Sequence, residues 1–134
     1  MVKREVTLAF VGRDDYFYTR LKAAVEARSL GKSVIFLGPA TDGQLHRLYT
    51  HAIALVFPSL MEGFGLPAIE SLALGTPVLV SDIPVFHEML GNSAVYFDPY
   101  DTADIARCLT SIIDQPASHK ISVQAIAALK HRYN

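Results

Sequence analysis

The sequence predicts an α/β fold: a Rossmann-like parallel sheet of about five strands with helices on both faces. Two patterns carry that prediction. Five short runs rich in Val, Ile, Leu or Phe recur at fairly even spacing without strict alternation, which suits strands buried on both faces. Segments of 3.6-residue period separate most of them, and alternation of strand and helix means a parallel sheet. The chain has 134 residues, 51% apolar and 19% charged, so it holds one domain large enough to bury a core without staples.

The elements follow in order. Val6–Val11 is the first strand. After Asp14-Asp15 a helix carries Phe17, Leu21, Ala24, Val25 and Arg28 on one face. Ser33–Leu37 is the second strand, and Thr41-Asp-Gly-Gln44 reads as a capping box opening a helix whose face is Leu45, Leu48, Tyr49 and Ala52. Ile53–Phe57 is the third strand. Pro67 suits the first helical position of the next helix, which Gly75-Thr-Pro77 ends. The strands Pro77–Val80 and Ala94–Phe97 follow. Asp101 or Thr102 caps a helix striped by Ile105, Leu109, Ile112 and Ile113, Gln115-Pro116 breaks it, and a last helix carries Ile121, Ala125, Ala128 and Leu129.

The net charge is −1, which gives no general reason to bind nucleic acid or an anionic membrane. Between Arg47 and Arg107 there is no Lys or Arg, whereas Glu62, Glu70, Asp82, Glu88, Asp98, Asp101 and Asp104 all fall there. A phosphate bound by this region must rely on backbone N–H groups or on cations from elsewhere. The single Cys108 excludes an internal disulfide and is read as small core filler, in a reduced cytoplasm. No signal peptide is visible at Met1–Arg13, and the uncharged run Leu48–Met61 is too short to span a bilayer.

In parallel sheets ligands sit outside the carboxyl ends of the strands. One such loop stands apart: Pro58-Ser-Leu-Met-Glu62-Gly63-Phe64-Gly65-Leu66-Pro67-Ala-Ile-Glu70. Gly63 and Gly65 let a ligand approach the main chain closely. Unpaired N–H groups from Leu66 onward attract an anion at the helix N-terminus. Phe64 either leans over a flat ligand face or plugs the loop into the core. Glu62 before the helix and Glu70 about one turn inside it suit hydrogen bonds from hydroxyls better than phosphate. From spacing alone, however, they read equally well as a loop charge and a helix-N-terminal acid. Bare chemistry suggests a ligand bearing both phosphate and hydroxyls.

This stretch resembles the Glu-x7-Glu signature of family 4 retaining glycosyltransferases, whose enzymes have two Rossmann-like domains in the GT-B arrangement. The likeness extends through Val34-Ile-Phe-Leu-Gly38, Leu45–Ala52, Ala73-Leu-Gly75-Thr-Pro77-Val78, Ser81-Asp82 with Glu88, and Tyr96-Phe-Asp98-Pro99-Tyr100-Asp101. It implies the nucleotide-sugar (donor) half of an active site across residues 1–134. Glu62 would orient the transferred sugar, and Glu70 would bind the ribose hydroxyls. The amides of Gly63, Phe64, Gly65 and Leu66 would approach the sugar and distal phosphate, and Pro39 and Ala40 would lie by the nucleobase. The resemblance implies no metal and no cofactor, only a nucleoside-diphosphate sugar as substrate. It assigns neither Glu the role of covalent nucleophile.

The departures from the family are as informative. The family's donor domain opens with a further strand and a loop bearing an Arg and a Lys that clamp the diphosphate; Val6–Val11 here resembles the second strand. The acceptor domain is missing, so the chain is expected to be truncated at both ends, and by itself to transfer little or no sugar. The absent strand would leave two unpaired inner edges, to be closed directly, filled by another segment, or paired with a second copy in a homodimer. A location in the cytoplasm follows, with membrane association in the full-length enzyme. The alternative is a non-catalytic nucleotide-binding or protein-interaction module on the same scaffold. The histidines show no metal-ligand spacing with Cys or acids, His87-Glu88 reads as a helix surface, and a Ser59, His87 and Asp98 triad lacks the Gly-x-Ser-x-Gly turn that would support it.

Overall fold

The computed structural model describes residues 4–133. Met1–Lys3, the start of the stretch Met1–Arg13 in which no signal peptide is visible, and Asn134 lie outside the described residues. Five strands and six helices alternate: β1 Leu8–Val11, α1 Tyr16–Ala27, β2 Val34–Gly38, α2 Asp42–His51, β3 Leu55–Phe57, α3 Leu66–Ala73, β4 Val78–Ser81, α4 Pro84–Leu90, β5 Val95–Phe97, α5 Thr102–Asp114 and α6 Val123–Tyr133. All strand pairs are parallel. The α/β Rossmann-like class is as expected, but the strands form two sheets, β1-β2 and β3-β4-β5, in place of one of five. Among the described residues the ladders are those within β1-β2 and within β3-β4-β5. The chain divides into two compact units, Met1–His46 and Arg47–Asn134.

In the first unit, Asp15 caps α1 by accepting the Tyr18 N–H at 3.1 Å. The inward residues of α1 are Tyr18, Lys22, Ala24 and Val25, the last two as expected; Phe17, expected on that face, is 70% exposed, and Leu21 is exposed too. Tyr18 and Lys22 take their places because Tyr18 is anchored. Its hydroxyl accepts the Gly38 N–H at 2.7 Å, its ring meets Phe36 edge-on at 5.1 Å, and Lys22 Nζ lies 4.8 Å from the ring centroid. Phe10 stacks on Phe36 at 5.2 Å. The opposite side of the pair is open, with Ile35 44% and Leu37 46% exposed. Burial on both faces therefore fails for β1 and β2, since α1 covers only one side of a two-stranded ribbon.

In the second unit the expectation holds. All four residues of β4 are buried. Val78 and Val80 join Ala68, Ile69 and Leu72 of α3, Phe86, Met89 and Leu90 of α4, and Leu129 of α6 in one core. On the other face Leu79 packs with Phe97 of β5 and with Cys108 and Ile112 of α5. Helices thus lie on both faces of β3-β4-β5. Three details correct or complete the sequence reading. Pro67 is the second residue of α3, not the first; the helix that carries His87 and Glu88, for which the sequence sets no bounds, is α4; and Ile121 precedes α6, whose inward residues are Ala125, Ile126 and Leu129 while Ala128 is exposed.

Candidate active site

The loop from β3 to α3 is built around two local devices. The first is Gly65, which adopts a left-handed backbone (φ +70°, ψ +41°) at the N-cap of α3. A Cβ there would lie 2.6 Å from Phe86 Cε1, so the site needs glycine for its backbone and for its space. With no side chain to cap the helix, Gly65 O accepts the Ala68 N–H at 3.1 Å, and Pro67 has no N–H to satisfy. Among the described residues the N–H groups of Gly63, Phe64, Gly65 and Leu66 have no partner within the chain. They are an unused donor set at the positive end of a helix.

The second device is Ser59. Its hydroxyl lies 3.0 Å from Glu62 Oε1 and 2.9 Å from Met61 O, so it can donate to the carboxylate and hold it in place. Glu62 is half-buried and Glu70 is exposed on the second turn of α3. Glu70 lies close enough to Tyr49 to act on its phenol, whose pKa is raised first by burial and then by the Glu70 charge. Tyr49 is fixed in turn, since its carbonyl accepts the Thr76 hydroxyl. Phe64 is 45% exposed and meets the Tyr133 ring edge-on at 5.6 Å, so it contacts α6 on one side and solvent on the other. The loop thus brings Glu62, Gly63, Phe64, Gly65, Leu66 and Glu70 together. Pro39 and Ala40 follow β2 in the first unit, where Gly38 turns the chain with φ +69°.

The loops Ser81–Pro84 and Asp98–Asp101, strand-end loops where a parallel sheet places ligands, form a second group whose internal pairing sequence reasoning missed. A cleft of about 320 Å³ is lined by Leu60, Asp82, Ile83, Asp98, Pro99 and Tyr100. His87 pairs with Asp82 at 2.5 Å and stacks on Tyr96 at 3.9 Å between centroids. Ser59, His87 and Asp98 thus have three different partners, Glu62, Asp82 and the Tyr100 N–H, and form no triad. The signal for Asp82 was its place one residue past a buried strand, five residues before His87. Among the described residues no group of three metal-capable side chains occurs, and no helix is long and apolar enough to cross a membrane.

The sequence profile of the glycosyl transferases group 1 family matches residues 2–128. An O-antigen chain mannosyltransferase, RfbU, of Salmonella typhimurium is 44% identical over 105 residues, which cover 78% of this chain and 30% of that protein. A serotype-specific mannosyltransferase, WbdA, of Escherichia coli is 36% identical over 110 residues, 81% of this chain and 14% of its own length. Among solved structures, sucrose-phosphate synthase from Thermosynechococcus elongatus superposes with a TM-score of 0.85 at 27% identity, over 96% of this chain and 34% of that one. The fold is also that of Anabaena Alr3699/HepE in complex with UDP and glucose, with a TM-score of 0.84 and 21% identity over 98% of this chain and 38% of that one. The chain spans about a third or less of the length of these relatives, except for the somewhat larger share of the last.

Proposed function

Because the chain belongs to the glycosyl transferases group 1 family, we propose that it is the donor-binding part of a family 4 retaining glycosyltransferase. Such an enzyme moves a sugar, a hexose on this reading, from a nucleoside diphosphate to an acceptor hydroxyl. The supporting observation is the β3–α3 loop. A braced carboxylate, four unused N–H groups at a helix N-terminus and a second carboxylate one turn inside are presented there together.

On this proposal Glu62, held by Ser59, accepts hydrogen bonds from the sugar hydroxyls and orients the anomeric carbon. The amides of Gly63, Phe64, Gly65 and Leu66 face the developing charge on the distal phosphate, where preorganised donors act most strongly. Glu70 accepts from the ribose hydroxyls, and Pro39 and Ala40 border the base. In the transfer the bond from the anomeric carbon to the phosphate oxygen breaks with its electrons going to the nucleoside diphosphate. The acceptor oxygen bonds to that carbon and its proton is released. The region holds no Lys or Arg from 48 to 106, so the remaining phosphate charge is met by cations outside it. No metal or other cofactor is part of this proposal. The partners are the donor and an acceptor domain outside these residues, with no nucleic acid, and the setting is cytoplasmic, at the membrane in the full-length enzyme. The chain alone transfers little or no sugar.

The test is titration calorimetry with uridine, guanosine and adenosine diphosphate sugars on the parent chain and on Glu70→Ala. Loss of a hydrogen-bonded carboxylate should weaken all three by about tenfold. Equal affinity in the variant sinks the ribose role, and no heat with any donor at millimolar levels refutes a formed site.

A further inference from the structure

The cleft at the carboxyl ends of β3, β4 and β5 has a chemistry of its own. Asp82 uses Oδ1 for His87, and the His87 ring is braced by Tyr96, whose hydroxyl donates to Gly91 O at 2.6 Å. Asp98 uses Oδ1 for the Tyr100 N–H at 2.9 Å, while its own N–H donates to Asp104 Oδ2 at 2.8 Å. Each carboxylate is thus fixed through one oxygen and has the other to offer. The same cleft is lined by Leu60, Ile83, Pro99 and Tyr100, the last 81% exposed.

Three ligand classes are separable here. A phosphate is disfavoured, since none of the lining residues is Lys or Arg, two are carboxylates, and the nearby Arg107 is already paired with Asp104. A divalent cation wants about six oxygen ligands, and among the described residues no group of three metal-capable side chains exists. A neutral ring bearing hydroxyls fits: its O–H groups donate to the spare carboxylate oxygens and its C–H face lies on the tyrosine. At about 320 Å³ the cleft is at the small end of ligand sites, room for one or two such rings. Leu60 joins it to the donor loop, since Leu60 and Glu62 are two positions apart in the chain, about 7 Å at full extension. Resting on the reading of Glu62 as the residue beside the transferred sugar, we propose that this cleft binds a pyranose ring of the acceptor glycan.

The test is backbone amide NMR of the labelled chain, titrated in one arm with methyl α-mannoside, methyl α-glucoside or methyl α-galactoside and in another with uridine diphosphate. At least one glycoside should shift the amides of Asp82, Ile83, Asp98 and Tyr100 with millimolar saturation, and the nucleotide should shift those of Gly63 to Glu70. Tyr100→Ala changes an exposed side chain, and Asp98→Asn keeps the oxygen that holds the turn. Each should weaken glycoside binding by about tenfold and leave nucleotide binding unchanged. No cleft shifts with any of the three glycosides, equal affinity in both variants, or binding that requires a divalent cation overturns the proposal. Glycoside binding without nucleotide binding overturns the donor reading, and with it the acceptor role, while the sugar site stands.

Discussion

Ser59 has one proton to give and two acceptors within reach, Met61 O at 2.9 Å and Glu62 Oε1 at 3.0 Å. Removing it releases a carboxylate that the proposed site needs in one orientation. Ser59→Ala should therefore weaken donor binding several-fold, the size of one ordinary hydrogen bond of about 1 kcal/mol, with Ser59→Thr restoring it in calorimetry. Cys108 is a residue whose role was legible from its neighbours alone. It is 2% exposed among Leu79, Phe97 and Ile112, and burial raises its thiol pKa. It should react with a disulfide reagent at pH 8 only as fast as the native state opens, and a rapid stoichiometric reaction would contradict that. Asp104 shows the opposite shift. Its carboxyl sits below the ordinary 3.8, first because it accepts the Asp98 N–H and then because Arg107 bonds to it. A depressed folded pKa gives stability that is present above the unfolded value and lost as pH falls through the folded one. Asp104→Asn should therefore flatten the acid limb of the stability–pH profile below about pH 4, read by urea unfolding.

At the scale of elements, local chemistry was the most legible. The capping box closes as the residue types require: Thr41 N–H donates to Gln44 Oε1 at 2.9 Å and Gln44 N–H to Thr41 Oγ1 at 3.3 Å. Of the two caps offered for α5, Asp101 is the one used, accepting from the Ala103 and Asp104 N–H groups. The face of α1 was not legible, because Phe17 and Tyr18 fit the period equally well and a bond to Gly38, twenty residues away, decides between them. Nor were the bounds of α4, whose seven residues begin at a proline without a side-chain cap. In the loop, the left-handed turn at Gly65 was readable from residue type, whereas spacing alone left Glu62 and Glu70 open and the Asp82–His87 pair depends on how α4 follows β4. Gly65 joins both kinds of information. Gly65→Ala forces a side chain into a left-handed backbone and against a fully buried phenyl ring. It should cost about 2–4 kcal/mol in urea unfolding, and a neutral result would mean that α3 begins differently.

Over the whole molecule, burial is unevenly shared. Within Met1–His46 the one described residue in the buried set is Tyr18, while every other buried residue comes from Arg47 onward. Among the described residues β1 is hydrogen-bonded along one edge only, to β2, and its residues are exposed or half-exposed. β4 is hydrogen-bonded on both edges and sealed on both faces. Since each buried aliphatic side chain contributes about 1.5–3 kcal/mol, the first unit has far less to lose on opening than the second. Such differences appear as separate opening events below the global one. Native-state hydrogen exchange should therefore show the amides of Leu8–Val11 exchanging through a low-energy opening with a small denaturant dependence. Those of Val78–Ser81 should exchange only with global unfolding. Strand pairing between copies would add a concentration term. If a second copy pairs with β1 or β3, protection of that strand will rise with protein concentration, and light scattering will report the dimer mass in the same range. Exchange that is uniform across both sheets and independent of concentration would mean that the two units open as one and that no second copy pairs with either strand.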